Sequence, residues 1–390
     1  MDMETLRKDS AGSMENKTNA PDPVWSVRMS DSVLRRFSAD RTSWHYEEGL
    51  VVKAVADTAA ASGNERLERF VRDWVDLWVT PDGDIRTYRI DDFNLDQIYP
   101  GRLLFPVLRQ TGETRYRKAI ELLREQLRRQ PRTKSGGFWH KRIYPNQMWL
   151  DGIYMACPFY AEYASLFGDA AGFDDITAQI VLIEKHIRDP KTGLLYHGWD
   201  ESRQQRWASP ETGCSPQFWG RGMGWFAMAV ADVLDYFPPG HAGRKVLTDI
   251  LNRTAQAVLR VQDPGSGLWY QVLDRADAPG NYQESSASAM FAYAFAKGVR
   301  KGLLPREYLE PARRAFRGLL DRQVARDADG GWSLNGICSV AGLGGDPYRD
   351  GTYAYYTGEK VKANDPKGVG AFILAALEIE SADLRKRAQE

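Results

Sequence analysis

Apolar side chains recur at intervals of three and four residues along nearly the whole chain, and convincing strand-like alternation is scarce. This spacing gathers the apolar residues on one face of a helix. Twelve segments carry the pattern and are predicted to be helices: 24–37, 49–62, 67–79, 101–111, 116–127, 148–167, 173–187, 218–236, 244–261, 285–301, 306–321 and 368–379. The chain is therefore expected to be all-α.

A polar turn with glycine returns between alternate helices, directly before an apolar or aromatic residue. Such a turn reverses the chain tightly and starts a short extended piece. The turns are TPDGDIR (80–86), TKSGGFW (133–139), DPKTGLLY (189–196), DPGSGLWY (263–270) and RDADGGWS (326–333). Their recurrence predicts six helical hairpins.

Six hairpins can close into a toroid or remain an open solenoid, and in either case each repeat buries its open faces on neighbours. The alternate helices that begin near residues 49, 97, 148, 218, 285 and 367 are richer in aromatic residues, glycine and alanine. This composition indicates burial on both sides. We therefore predict a closed (α/α)6 barrel, a single domain over 23–386 that follows a disordered tail over 1–22.

The charge balance and the cysteine positions argue against several classes of protein. The 52 basic and 52 acidic residues cancel, which argues against nucleic-acid and membrane-surface binding. No stretch approaches the length of a membrane span, and the first residues lack the apolar core of a signal peptide. The three cysteines are far apart, which indicates buried thiols rather than disulfides or a zinc site. We expect a cytoplasmic protein.

Two aspartates are candidates for acid/base chemistry. Asp151 lies in the first turn of a strongly apolar helix, where burial favours the neutral carboxyl that can donate a proton. A carboxylate that interacts with the helix dipole is an equally good interpretation. Asp96 precedes the inner helix that is predicted to begin near residue 97, and an N-cap explains it better than catalysis on these grounds alone.

Other candidates follow the glycine turns. His197 lies among aromatic residues and is either catalytic or a core histidine. His140 and Lys141 occupy the equivalent place in the preceding repeat, where the alternative is a surface turn. Arg221 lies between Trp219 and Trp225, a combination suited to a carboxylate beside a stacked ring. A glycine-rich helix start with two core tryptophans is the alternative for that segment.

Two further interpretations are negative. The segment ESSASAM (284–290) is read as a serine-capped helix start, because no nucleophile-elbow motif surrounds it. No HExxH or Cys/His ligand pattern is present, so we do not expect a metal enzyme.

In this order the segments resemble glycoside hydrolase family 105, the unsaturated rhamnogalacturonyl hydrolases. The resemblance runs from about residue 25 to 380, and QMWLDG and ETGCSPQFW are its most specific parts. The matching pieces are WHYEEG (44–49), GGFWHK (136–141), QMWLDGIYM (147–155), GLLYHGWDE (193–201), ETGCSPQFWGRGMGW (211–225), GLWYQVLD (267–274), ESSASAM (284–290) and NDPKGVGAFILA (364–375).

The resemblance implies an (α/α)6 barrel that removes a 4,5-unsaturated uronic acid from the non-reducing end of oligosaccharides left by polysaccharide lyases. It implies that Asp151 is the general acid/base and that Asp96 assists at the double bond. His197 joins them in the expected catalytic group. The expected substrate contacts are His45, Tyr46, His140, Lys141, Trp219, Arg221 and Trp225.

The resemblance also implies hydration of a vinyl ether, which needs no cofactor. The chain departs from rhamnogalacturonyl hydrolases at RIDDFN (89–94) and GRGM (220–223). The identity of the linked sugar is therefore left open. Rhamnose is the default, and an unsaturated glucuronyl substrate is the alternative. Two other functions remain: an α/α-barrel epimerase or lyase that uses His197 and His140 as bases, and a non-catalytic sugar-binding toroid. The oligomeric state and the roles of Asp200 and the tyrosine-rich segment 348–356 are left open.

Overall fold

The computed structural model describes residues 24–37 and 42–389, with side chains as far as Leu384, so the tail predicted over 1–22 lies outside the described residues. All twelve predicted helices are present, and a short one, α12, was not predicted. The helices are α1 (Trp25–Arg36), α2 (Tyr46–Ser62), α3 (Glu65–Trp78), α4 (Leu104–Thr111), α5 (Thr114–Arg129), α6 (Leu150–Phe167), α7 (Ala170–Ile187), α8 (Gly220–Val233), α9 (Ala242–Leu259), α10 (Ser285–Arg300), α11 (Leu309–Arg322), α12 (Tyr353–Gly358) and α13 (Pro366–Gln389).

The longest helices form two concentric rings. The inner ring runs through α2, α4, α6, α8, α10 and α13, and α13 packs against α2 to close it. A 3-10 helix, Tyr99–Leu103, extends α4 and makes its contacts with α2 and α6. The outer helices α3, α5, α7, α9 and α11 each pack on the inner helix that precedes them in the chain, and α1 packs on α13. The predicted (α/α)6 barrel is confirmed, and the open solenoid is wrong because the first and last inner helices meet.

The inner helices α6, α8 and α10 are buried on nearly all sides, as their composition predicted. Every residue of α8 is buried, as is nearly every residue of α6 and α10. Small side chains and aromatic rings alternate there because six helices around one axis leave little space between backbones. Gly101 illustrates the constraint, since a Cβ atom there would lie 2.4 Å from a methyl carbon of Leu123.

The two ends of the barrel differ in the length of their connections. At one end an inner helix passes to the next outer helix within a few residues, as between Ser62 and Glu65 or between Phe167 and Ala170. At the other end long segments lead from each outer helix into the next inner one, for example from Arg129 to Leu150. These long segments carry the glycine turns, whose flanks form bridges such as Val79 with Ile85. Long connections are where sites are usually built on a rigid scaffold.

The long connections also contain six short strands in three antiparallel pairs. β1 pairs with β2, β3 with β4, and β5 with β6. Their bounds are Gln147–Trp149, Gly198–Asp200, Val324–Arg326, Trp332–Leu334, Ile337–Cys338 and Val361–Lys362. The pair of β1 and β2 joins two successive long connections, whereas the other two pairs lie within the segment that leads from α11 to α13.

The short-connection end of the barrel is closed by paired charges. Asp232, in the last turns of α8, accepts hydrogen bonds from Arg102 at 2.7 Å, Lys297 at 2.6 Å and Tyr293 at 2.6 Å. The inner helices end here, so their carbonyl groups concentrate negative partial charge, and buried cations compensate for it. This leaves the long-connection end for chemistry.

The cysteine and membrane predictions can be compared with the structure. Cys157, Cys214 and Cys338 are free thiols and are buried, as predicted. Of the helices described, none has the combination of length and apolar character needed to cross a bilayer.

Candidate active site

The candidate residues collect where the inner helices begin. Helices α2, α6, α8, α10 and α13 begin at Tyr46, Leu150, Gly220, Ser285 and Pro366. The free N–H groups and the positive dipole ends of these helices therefore point toward the same end of the barrel. Such an arrangement favours a ligand that carries negative charge.

Strand pairing brings Asp151 and His197 together. β1 and β2 pair so that Trp149 lies opposite Gly198. In the next backbone hydrogen bond, the N–H of Leu150 donates to the carbonyl of His197 at 3.0 Å. Asp151 is therefore the second residue of α6 and lies beside the histidine of the neighbouring connection. Helix α6 begins here because its extended N-cap, Trp149, is the last residue of the strand.

Asp151 is one end of a chain of three polar side chains. Its Oδ2 lies 3.0 Å from Nε2 of His197, and Nδ1 of His197 lies 2.7 Å from the hydroxyl of Tyr356. The His197 side chain is 0% exposed and that of Asp151 is 14% exposed. The carboxyl group of Asp151 therefore faces the opening of the site while its partners lie behind it.

Asp96 lies in a separate cluster of cations. Its carboxylate is 2.5 Å from the ammonium of Lys141, and the nearest ring nitrogens of His45 and His140 are each 3.5 Å from it. Burial raises the pKa of Asp96, but the charge of Lys141 and the two histidines outweigh burial and hold the pKa well below its ordinary value. Burial also lowers the pKa of His140 to about 4, so Lys141 is the principal counter-charge at neutral pH.

The N-cap interpretation of Asp96 is wrong. The cap is Asn94, whose side chain accepts the backbone N–H of Asp96 at 3.0 Å in the 3-10 helix Leu95–Gln97. The side chain of Asp96 is thereby left free to turn toward Lys141. His140 is buried as well, so the surface-turn alternative for that segment is also wrong.

Two groups of stacked rings form the walls of the site. The indole of Trp149 lies between the rings of His140, at 4.6 Å, and Tyr144, at 4.7 Å. The indole of Trp225 stacks on Tyr154 at 5.1 Å. Such stacks hold the ring planes in place and so preorganise the polar groups between them.

Gly152 allows the ring of His140 to approach the first turn of α6 closely. A Cβ atom at this position would lie 2.9 Å from Nδ1 of His140. The glycine of the QMWLDG segment is therefore required by the ring of His140, which packs directly against the first turn of α6.

Four of the predicted residues are at least partly exposed and line the opening: Asp151, Lys141, His45 and Tyr46. Their charges interact. Burial raises the pKa of Tyr46 well above its ordinary value; the charges of Glu47, Asp96 and Asp151 act in the same direction, and that of Arg221 opposes them. The Tyr46 hydroxyl is therefore within electrostatic range of both aspartates.

The structure places Trp219, Arg221, His197 and Trp225 behind the opening. Trp219 is 1% exposed, stacks on Tyr356 at 5.8 Å and donates its N–H to Gln271. Arg221 is also 1% exposed and donates to Ser286 Oγ and to the carbonyl groups of Cys338 and Ser339. Trp219 therefore packs inside the wall, and the two terminal nitrogens of Arg221 donate to protein atoms, while its buried Nε has no partner among the described residues.

His197 also lies behind the opening. It was predicted to be catalytic, but it is fully buried and both of its ring nitrogens are bonded inside the protein. It therefore contacts Asp151 and has no nitrogen left for a sugar. Trp225 is buried too, between Tyr154 and Tyr46, and so belongs to the wall.

Sequence reasoning missed three residues that complete the site. Tyr356 lies in α12, which is too short to show helical periodicity. The side chain of Gln271 donates a hydrogen bond to the carbonyl of Tyr356 and accepts one from the indole N–H of Trp219. Glu284 caps α10 by accepting the N–H of Ala287, so the serine-cap interpretation of this segment is wrong. Gln271 and Glu284 lie in the family-like segments GLWYQVLD and ESSASAM, but no spacing pattern in the sequence indicated their roles.

One set of residues in the described part of the chain could present three ligands to a metal ion: His45, Glu47 and Glu48. Glu47 already forms an ion pair with Lys367 at 2.6 Å, and the charge of Lys367 lowers the pKa of Glu47 against the effect of burial. An ammonium group in that position competes with a cation.

Comparison with known proteins agrees with this geometry. The family model described as Glycosyl Hydrolase Family 88 matches residues 25–382. A solved family 105 glycoside hydrolase of C. acetobutylicum is 44% identical, with a TM-score of 0.90 over 92% of this chain and 100% of that chain. A protein of Agrobacterium fabrum is 42% identical over 57% of this chain and 97% of its own length. The unsaturated rhamnogalacturonyl hydrolase of Bacillus subtilis is 28% identical over 72% and 77% of the two chains. The chain therefore belongs to glycosyl hydrolase family 88, in the branch that contains the family 105 enzymes.

Proposed function

We propose that this enzyme removes a 4,5-unsaturated uronic acid from the non-reducing end of lyase-generated oligosaccharides by hydrating its vinyl-ether double bond. The supporting observation is the contrast between the two aspartates at the opening. Lys141 and the histidines hold Asp96 ionised, so Asp96 has no proton to give at neutral pH. Among the described residues, no lysine or arginine forms an ion pair with Asp151, which lies at the opening, and we assign the proton transfer to it.

The reaction proceeds in two proton transfers. Asp151 donates a proton to C4 of the sugar, and positive charge develops at C5 and the ring oxygen. Water adds to C5 and gives its proton to Asp151, which restores the starting state. The resulting hemiketal opens without further catalysis and expels the remaining oligosaccharide. Ordinary glycosidases instead use two carboxylates on an acetal.

Asp96 contributes charge in this mechanism. A carboxylate that remains ionised stabilises the positive charge that develops on the sugar ring, because a preorganised charge costs nothing to reorient during the reaction. Lys141 keeps that carboxylate in place at 2.5 Å. Its remaining hydrogen-bond donors, and those of His45, can face the acidic substrate.

The carboxylate of the sugar is attracted by the inner helix starts and by Arg221 at a distance. The charge of Arg221 acts to lower the pKa of both Tyr46 and Glu47, so its field reaches the opening although its terminal nitrogens donate to protein atoms. We propose rhamnose as the linked sugar, which is the sugar in the name of the Bacillus subtilis relative.

The geometry does not favour an epimerase or a lyase. That alternative needs His197 and His140 as a pair of bases on two sides of a sugar ring. Both rings are buried, and each packs against protein groups. The two histidines that this alternative requires are therefore not presented at the opening.

The function is tested by ultraviolet absorbance. We expect the purified enzyme to abolish the absorbance of the conjugated double bond in unsaturated galacturonyl-rhamnose, and to do so faster than with unsaturated disaccharides from pectin, ulvan or glycosaminoglycans. Hydration destroys the conjugation, whereas epimerisation preserves it. Consumption of none of these substrates would overturn the proposal, and a preference for another disaccharide would replace only the rhamnose assignment.

Arg221→Lys is expected to reduce stability more than substrate affinity. Lysine retains the charge but cannot reproduce the bonds to Ser286 and the two carbonyl groups. Hydrogen bonds of a buried charged group are worth about 1.5–3 kcal/mol, and urea denaturation should show a loss of at least that size.

Arg206→Lys provides the control, since this arginine is exposed above the ring of Tyr348. A normal unfolding free energy of Arg221→Lys with a severalfold higher KM would instead identify Arg221 as the direct ligand of the carboxylate.

A further inference from the structure

The hydroxyl of Tyr356 has one hydrogen-bond partner among the described residues, Nδ1 of His197 at 2.7 Å. Tyr356 is fully buried by Trp219, Gln271 and Tyr355, so its hydroxyl cannot use bulk water. A buried hydroxyl proton without an acceptor costs free energy, and a tyrosine hydroxyl carries a single proton to donate. The proton of Tyr356 therefore points at Nδ1.

This direction fixes the state of His197. A ring nitrogen that accepts a hydrogen bond carries no proton, so Nδ1 is the bare nitrogen of a neutral imidazole. The proton must then be on Nε2, which lies 3.0 Å from Oδ2 of Asp151. If Nδ1 carried the proton instead, the hydroxyl of Tyr356 would lose its acceptor.

The two oxygens of Asp151 are consequently not equivalent. Oδ2 accepts the N–H of His197 and is occupied whether Asp151 is charged or neutral. Oδ1 has no hydrogen-bond donor among the described side chains. A carboxyl group that is held at one oxygen can exchange protons through the other without rotating, which keeps the reacting atom in one position.

We propose that Tyr356 is a positioning residue, which selects the Nε2–H tautomer of His197 and thereby makes Oδ1 of Asp151 the oxygen that gives and takes the proton. In the forward reaction the O–H bond at Oδ1 breaks and a C–H bond forms at C4. In the second step Oδ1 takes a proton from the water that bonds to C5. Oδ2 keeps its hydrogen bond to Nε2 throughout. The assignment of these steps rests on the proposed function, but the tautomer does not.

The tautomer is tested without substrate. The chain contains five histidines, so long-range proton–nitrogen NMR on protein labelled with 15N-histidine gives a spectrum that can be assigned, with His197→Gln identifying the signal of His197. We expect Nε2 of His197 to be protonated and Nδ1 to be bare in the wild type. In Tyr356→Phe the Nδ1–H form should become populated, because the hydroxyl that donates to Nδ1 is gone.

Steady-state kinetics test the positioning role. Tyr356→Phe should lower kcat about tenfold or more with little change in KM, as expected for loss of an interaction that orients a group in the transition state. His197→Gln places an amide N–H near the former Nε2–H and should retain more of kcat than the shorter His197→Asn. Tyr353→Phe is the matched control, because Tyr353 lies on the same helix and its hydroxyl donates to the backbone of Ala278 and Pro279.

The outcomes separate this inference from the proposed function. A protonated Nδ1 in the wild type, or a Tyr356→Phe enzyme with normal kcat and tautomer, would overturn the inference while the hydrolase assignment stands. A wild-type enzyme that leaves all the unsaturated disaccharides intact, with the tautomer as expected, would overturn the function alone. A fall in kcat equal to that of Tyr353→Phe would show a general packing effect and would also contradict the positioning role.

Discussion

Asp151→Asn is expected to fold normally and to lose nearly all hydration of the unsaturated disaccharide. Asparagine is almost isosteric with aspartate and can accept the N–H of His197, so the local structure should survive. It can neither protonate C4 nor accept the proton of water. Removal of a general acid/base typically costs about 10²–10⁴ in rate, and a group used twice should lie at or beyond the upper limit.

Two measurements make this prediction specific. Thermal unfolding should show a midpoint close to that of the wild type, and quenching of tryptophan fluorescence by the disaccharide should show that binding persists. A folded Asp151→Asn enzyme that consumes the substrate within tenfold of the wild-type rate would exclude Asp151 as the proton donor. A variant that binds without turnover would also trap the substrate for crystallography.

Asp96→Asn is expected to lower kcat by about 10²–10³, because it removes a fixed charge that stabilises the developing cation. Affinity for the acidic substrate should not fall, since Lys141 loses its partner and becomes freer to attract the substrate carboxylate. The matched control is Asp92→Asn, four residues earlier, where the carboxylate is half exposed and pairs with Arg89. A parallel fall in kcat for both variants would contradict the assigned role.

The same substitution gives a pH dependence whose sign follows from the pKa of Asp96. The pKa is lowered in the folded protein, so the unfolded chain binds a proton first as the pH falls. The stabilisation by Asp96 is therefore complete above its ordinary pKa, about 4, and is lost progressively below it. Urea denaturation should show wild type and Asp96→Asn differing most near neutral pH and converging in strong acid.

The sequence by itself determined the number and order of the long helices and the closure of the barrel. Periodicity marks a helix whenever one face is apolar, and the inner helices stood out because glycine, alanine and aromatic residues occupy every face. Helix α12 was not predicted, because six residues are too few to show helical periodicity. The family-like segments also identified Asp151 and Asp96 as the two carboxylates of the site.

The functional states of the candidates were decided by tertiary structure. Lys141 and His140 reach Asp96 across a connection, and no local pattern indicates that this aspartate is ionised while Asp151 remains free to carry a proton. Likewise, Tyr356 is 159 residues from His197 in sequence, yet its hydroxyl selects the tautomer. Arg221 and Trp219, which were expected to contact the substrate, are buried, and their polar groups bond to segments far along the chain. Sequence spacing fixes which residues share a helix face, whereas protonation and exposure depend on neighbours that only the closed ring brings together.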